Sequence, residues 1–237
     1  MTLSPQNISY TCEALKNLIS LGYKIINLNC IFEEGWNYNH GTILYNQLIQ
    51  FADWLFETDQ FKKYKITLFD ENKYSPLPDE DTDNWCGGIC NAMIAFDNNG
   101  KAFPCIRYMD SSLNGNQESY NIGSVNGLFV TEEEKERKRI CDSITRQSQS
   151  TEECLTCPIA KGCSWCSAYN YEKFGTPNKR ATYICPTHKA AALASYYYYN
   201  KGYELCGVPH RKIPIYITEE EALKIISYDN WVNLCNL

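Results

Sequence analysis

Apolar residues recur at helical spacing early in the chain. Gln6–Leu21 places Leu15, Leu18 and Ile19 on one side, follows Ser4-Pro5 and ends at Gly22, a pattern that predicts a capped helix. Tyr23–Ile31 (YKIINLNCI) is rich in β-formers and predicts a strand. Thr42–Thr58 sets Leu44, Leu48, Phe51 and Leu55 on one face and predicts a second helix; Tyr64–Phe69 (YKITLF) predicts a second strand. Helix alternating with strand points to parallel α/β units. Two such units do not close a barrel, so this stretch reads as the tail of a larger α/β domain.

The pattern changes after the polar, proline-containing stretch Ser75–Trp85. Ala92–Phe96 and Lys101–Ile106 flank Asp97-Asn98-Asn99-Gly100, which predicts a β-hairpin. Thr131–Arg146 predicts a charged, solvated helix capped by Thr131, with Glu134–Lys138 as a supporting pair. Cys154–Cys166 is too dense in Cys, Gly and Pro for regular structure. Pro186–Gly202 predicts a further helix, and its Tyr196–Tyr199 run reads as a helix packed on several sides. The expected organisation is α/β, with domains at 1–85, 86–203 and 204–237.

Cysteine is what gives this chain a chemistry. Thirteen occur in 237 residues, nine of them between positions 86 and 185. An odd number cannot all pair within one chain, and in a reducing compartment clustered thiols are better explained by metal than by disulfides. Cys86 and Cys90 are separated by three residues, and the hairpin brings Cys90 and Cys105 back together. Downstream come Cys154-x2-Cys157, Cys163-x2-Cys166 and then Cys185. CxxC turns let two thiolates converge on one centre, with amides between them free to bond the sulfurs. Eight clustered thiols match two [4Fe–4S] cubes, and spacing alone leaves four-cysteine zinc sites open. Cys12, Cys30, Cys141, Cys206 and Cys235 read as small buried apolar residues. His40, His188 and His210 have no metal-ligand pattern and read as structural or surface residues.

Charge and hydropathy narrow the class. The net charge is −6 with no basic block, which argues against a nucleic-acid partner. No run of about 18 apolar residues exists, and the first residues lack the pattern of a signal peptide, so a cytoplasmic location is expected.

The cysteine pattern resembles the SPASM domain of radical-SAM enzymes. The family has Cys, nine to fifteen residues, Gly, four residues, Cys; then Cys-x2-Cys-x5-Cys-x3-Cys; then a last Cys. This chain has Cys90-x9-Gly100-x4-Cys105, then Cys154-x2-Cys157-x5-Cys163-x2-Cys166, then Cys185. It departs by one residue, between Cys163 and Cys166. The resemblance implies one auxiliary [4Fe–4S] cluster on Cys86, Cys90, Cys105 and Cys166, and another on Cys154, Cys157, Cys163 and Cys185. It decides for iron–sulfur over zinc. Residues 1–85, with INLNCIFEEGW, are similar to the end of a radical-SAM partial barrel. Asn27 and Asn29 then face the barrel interior, or they are ordinary polar strand residues.

The family's SAM-binding Cys-x3-Cys-x2-Cys motif is absent. The nearest stretch is Cys86-x3-Cys90-x2-Met93, and a thioether is a poor substitute for a thiolate. S-adenosyl-L-methionine and a third [4Fe–4S] cluster are therefore expected only in a complete enzyme, and the isolated chain is expected to be inactive. The resemblance implies the C-terminal part of a maturase that modifies a ribosomal peptide or protein, for example by thioether formation. Its partners would be that substrate, an electron donor such as flavodoxin or ferredoxin, and an N-terminal half. The catalytic acid or base is not identifiable. Alternatives are a non-catalytic iron–sulfur redox or peptide-binding module, a sulfatase-maturating fragment and a structural zinc protein. A fully ligated cube carries about −2, which Lys161 or Arg107 is expected to offset.

Overall fold

The computed structural model describes residues 1–78, 86–89 and 92–237; Cys90 lies outside the described residues. The fold is mixed α/β with small sheets. Along the chain run β1 (Thr2–Leu3), α1 (Thr11–Ser20), β2 (Ile25–Ile26), β3 (Asn29–Cys30), α2 (Tyr38–Glu57) and β4 (Lys65–Ile66). Then follow β5 (Ala95–Phe96), β6 (Lys101–Phe103), β7 (Gly123–Ser124), β8 (Gly127–Leu128), α3 (Glu132–Ser143), α4 (Arg146–Gln149), α5 (Glu152–Leu155), α6 (Ser167–Phe174), α7 (Cys185–Leu205), α8 (Glu219–Ala222) and α9 (Tyr228–Asn236). The residues sort into two compact units. Unit 1 is Met1–Leu77, Cys157–Ser164 and Tyr183–Leu237; unit 2 is Pro78–Thr156 and Trp165–Thr182.

Unit 1 is built on parallel pairing. The stretch expected to be one strand, Tyr23–Ile31, is two short ladders: β2 pairs with β4, and β3 pairs with β1. The switch falls at Leu28, where the Thr67 side chain replaces a strand partner. Thr67 Oγ1 accepts from Leu28 N at 2.8 Å and donates to Leu28 O at 3.2 Å. The first helix starts later than its sequence suggests. Ser4 N donates to Asn7 Oδ1 at 2.8 Å, a 3₁₀ turn follows over Ile8–Tyr10, and only then does α1 begin. Asn and Ser compete with a helical first turn through such local bonds. Gly22, at φ +92°, ends α1 as expected.

α2 opens on a capping box between Asn37 and His40, which gives His40 its structural role. Its buried face, Leu44, Leu48, Phe51 and Leu55, is the one the periodicity marked. α7 packs along α2. Phe69 and Tyr198 stack at 4.4 Å, and Tyr198 also stacks on Phe56. Each tyrosine of the 196–199 run finds a partner: Tyr196 Oη donates to Tyr74 O, Tyr197 to Asp53 and Tyr199 to Phe69 O, while Tyr198 Oη accepts from Lys62 N. Amphipathic aromatics belong where a ring is buried and its hydroxyl is satisfied. Among the described residues no helix is long and apolar enough to cross a membrane.

Unit 2 holds an antiparallel sheet in the order β5-β6-β7-β8. The expected hairpin is its first pair. Asp97 Oδ1 accepts from Asn99 N and Lys101 N, and Gly100 takes φ +76° to close the turn. β7 and β8 carry no pattern in the sequence that announced them. The charged helix ends at Ser143 rather than Arg146, because Thr145 caps the new turn α4. Glu134 folds back on Thr131 to complete a capping box, so Lys138 pairs with Asp142 instead of Glu134.

Candidate metal centre

In unit 2, the fold brings three of the first thiol set together. Cys86 precedes a tight turn closed by Ile89 N on Cys86 O at 3.0 Å. That turn packs on the end of the hairpin: a Cβ at Gly88 would lie 3.5 Å from Cys105 Sγ. Cys105 follows β6 and leads into a 3₁₀ turn over Ile106–Tyr108. Cys166 is the N-cap of α6, its Sγ accepting from Tyr169 N at 3.4 Å. A helix N-terminus favours negative charge, so this is a good place for a thiolate.

Each sulfur has polar neighbours. Ser167 Oγ, fully buried, lies 3.0 Å from Cys86 Sγ. Burial pushes the Cys105 thiol up to about 11; the amides of Arg107 and Tyr108 oppose this, though neither completes a capping bond, and Cys166 and Cys86 push it further up. Burial also raises the Cys166 thiol, against the Tyr169 amide and the Arg107 guanidinium. Arg107 is therefore within electrostatic reach of Cys166. It is held there by Glu172, whose side chain is only 7% exposed and lies 3.7 Å from the guanidinium. Asn114 and Asn116 also donate to Glu172, at 2.9 and 3.3 Å.

Cys141 is a fourth thiol in this neighbourhood. It is buried in the same core, pushed up to about 11 chiefly by burial, and within electrostatic reach of Cys86. Its place in the core fits the apolar reading, but its proximity to Cys86 was not visible in its isolated position. Cys12 and Cys30 are likewise buried. Cys206 and Cys235 are exposed, contrary to the expectation of burial, because Cys206 caps the end of α7 and Cys235 lies on the outer side of α9.

The second thiol set is divided between the units. Cys154 belongs to unit 2, where Thr151 caps α5 and donates to Cys154 Sγ at 3.3 Å. Cys157, Cys163 and Cys185 belong to unit 1. There the 157–164 segment is fastened by Lys161 N on Ser75 O at 3.0 Å and by His188 Nε2 against Ile159 O at 2.7 Å. His188 is thus structural, and His210 is exposed. Gly162 takes φ +71° beneath Lys73; a Cβ there would meet the lysine stem at 2.2 Å. Lys73 bears electrostatically on Cys163, whereas Lys161 is exposed. Burial lowers the Lys73 amine, with Asp70, Cys163 and Cys30 pulling it back up. Cys185 begins α7, with Pro186 in the first turn.

Among the described residues no group of three or more His, Cys, Asp or Glu side chains is set to hold a metal ion. Cys86, Cys105 and Cys166 are thus electrostatic neighbours rather than a closed ligand set for one ion. Their chemistry fits an iron–sulfur cluster: soft thiols, partly buried, with N–H and O–H donors around them and one guanidinium at hand. Asn27 and Asn29 are exposed, with Asn29 in register with Thr2 and Asn27 O accepting from the Met1 amino group at 2.7 Å. No protein-family model and no curated protein matches this chain, so any assignment of function stands on these residues.

Proposed function

We propose that unit 2 binds a [4Fe–4S] cluster through Cys86, Cys90, Cys105 and Cys166, and that the chain is the auxiliary-cluster part of a radical-SAM enzyme that modifies a peptide or protein. The observation that carries this reading is the electrostatic proximity of Cys86, Cys105 and Cys166, with Ser167 beside Cys86 and the Tyr169 amide and Arg107 beside Cys166. Such donors are what sets the potential of a thiolate-bound cluster. A second cluster on Cys154, Cys157, Cys163 and Cys185 is proposed on sequence spacing alone.

When bound, the group supplies one-electron transfer. The chain's own contribution is to hold thiolates at a helix N-cap and a 3₁₀ turn, and to balance their charge with Arg107, itself fixed by Glu172. SAM cleavage would need a three-thiolate site supplied from elsewhere, since Met93 stands where its third cysteine would be. Peptide substrate, flavodoxin- or ferredoxin-type donor and N-terminal half are proposed partners on the same ground. Met93 also favours the second reading, a non-catalytic iron–sulfur module, since it is half exposed and a poor ligand.

Iron, sulfide and zinc content after anaerobic purification, with an optical spectrum, tests the proposal. About eight irons and eight sulfides per chain, bleached by dithionite, are expected for two cubes, and about four of each for the unit 2 centre alone. Zinc without sulfide sinks the reading. Cys166→Ser should lower the iron and sulfide content; unchanged content would remove Cys166 from the ligand set.

A further inference from the structure

Tyr108, like Ser167, has no exposed surface. Its backbone is fully used: its N donates to Cys105 O at 3.1 Å and its O accepts from Tyr120 N at 3.0 Å. Its ring is wedged between Tyr120 and Tyr171, at 5.1 and 6.0 Å. Its hydroxyl, however, is buried with no hydrogen-bond partner among the described residues. Ser167 is close enough to influence the phenol, but it does not complete a bond, and its Oγ is engaged with Cys86 Sγ. The thiols of Cys141, Cys86 and Cys105 all bear electrostatically on the same phenol.

A buried hydroxyl left unsatisfied is costly, so native structures rarely keep one without an acceptor nearby. Tyr108 is packed in one cluster with Cys141, and Cys86, Cys105 and Cys166 pack against that cluster. We propose that Tyr108 donates a hydrogen bond to a sulfur of the metal centre held by Cys86, Cys105 and Cys166, and so tunes its reduction potential. This inference rests on the iron–sulfur reading above. Tyr108 is a positioning and tuning residue rather than a ligand: a neutral phenol donates to sulfur, and Cys105 is tied to it through the turn. Ser167 acts beside it on Cys86, so the two hydroxyls address the centre from the hairpin side and the helix side.

A hydrogen bond to a cluster sulfur favours the reduced, more negative state and raises the potential. The experiment compares the full chain with Tyr108→Phe, both purified anaerobically, for iron content and for potential in a dithionite titration. The expected result is equal iron content with a several-fold fall in the one-electron reduction constant of the variant; tenfold would be 59 mV. 3-Fluorotyrosine at position 108, a more acidic donor of nearly the same shape, should shift the constant the opposite way and guards against a folding defect in the Phe variant. Equal iron and equal potentials in all three proteins would overturn the role of Tyr108 and leave the cluster reading standing, with the phenol satisfied by an internal water. Absence of iron from the unaltered chain would overturn both.

Discussion

The two units solve the problem of a core differently. Unit 1 is continuous and apolar: Leu15, Leu44, Leu48, Phe51, Leu55, Ile66 and Leu193 lie in one cluster with the aromatic face of α7. Among the described residues, unit 2 has one smaller apolar cluster, Ile89, Ala102, Phe103, Tyr108, Tyr120, Ile122, Cys141, Ile144 and Ala168, and Cys86, Cys105 and Cys166 sit against it. A domain with little apolar surface to bury needs another source of stability, and a bound metal is one. Unit 1 gains its order from hydrocarbon; unit 2, on the proposed reading, gains much of its order from sulfur chemistry.

The largest effect that would break this contrast is metal removal. Anaerobic chelation should raise amide hydrogen exchange across residues 102–122 and 167–174 while α2 and α7 stay protected; structural zinc binding is worth about 10–16 kcal/mol in small domains, which sets the scale. Uniform loss of protection in both units would end the contrast. The reverse test is Phe51→Ala. Phe51 is fully buried, and its truncation should cost about 3–5 kcal/mol of unit 1 stability with iron content unchanged. A parallel fall in iron would show that unit 1 supports the centre.

Close approach gives a smaller effect. A Cβ at Gly202 would fall 2.2 Å from the Phe61 ring, so Gly202→Ala should destabilise by about 1–3 kcal/mol in thermal melts, and Gly202→Ala with Phe61→Leu should recover part of it. The Lys189–Glu221 pair adds a pH signature. Partial burial alone would raise the Glu221 carboxyl, but Lys189 and Lys224 hold it below its ordinary value. Its contribution is therefore present above the ordinary carboxylate range and is lost as pH falls through the lowered value. Lys189→Met should flatten the acid side of the stability profile by less than about 1 kcal/mol, read from urea midpoints at pH 3 to 7. Smallest is Thr131→Ala, which removes the α3 capping box and should cost about 1 kcal/mol, seen as local exchange at the first turn.

Legibility in the sequence followed the same contrast. The faces of α2 and α7 are long and periodic, so Leu44, Leu48, Phe51 and Leu55 were readable as a core before any fold was known. The strands were less so, since β2 and β3 are two residues each and part of the pairing runs through the Thr67 side chain. Cysteine spacing and the hairpin linked Cys86, Cys90 and Cys105, whereas only the family resemblance joined Cys166 to them. Spacing could not point to Glu172 or Lys73, since Glu172 reaches Arg107 and Lys73 bears on Cys163 through tertiary packing, nor to the buried, unpaired hydroxyl of Tyr108. Cys141 stands alone in the chain, and nothing in its own neighbourhood ties it to Cys86.

The interleaving of the units bears on how the chain is made. α2 is complete at Glu57, but α7, which covers it, begins only at Cys185. At about 5–20 residues per second, a ribosome leaves Leu48, Phe51 and Leu55 without their final cover for roughly 10 s. Over that interval every residue of unit 2 is synthesised, up to Thr182. The later region is thus complete in sequence before the earlier one receives its last helix.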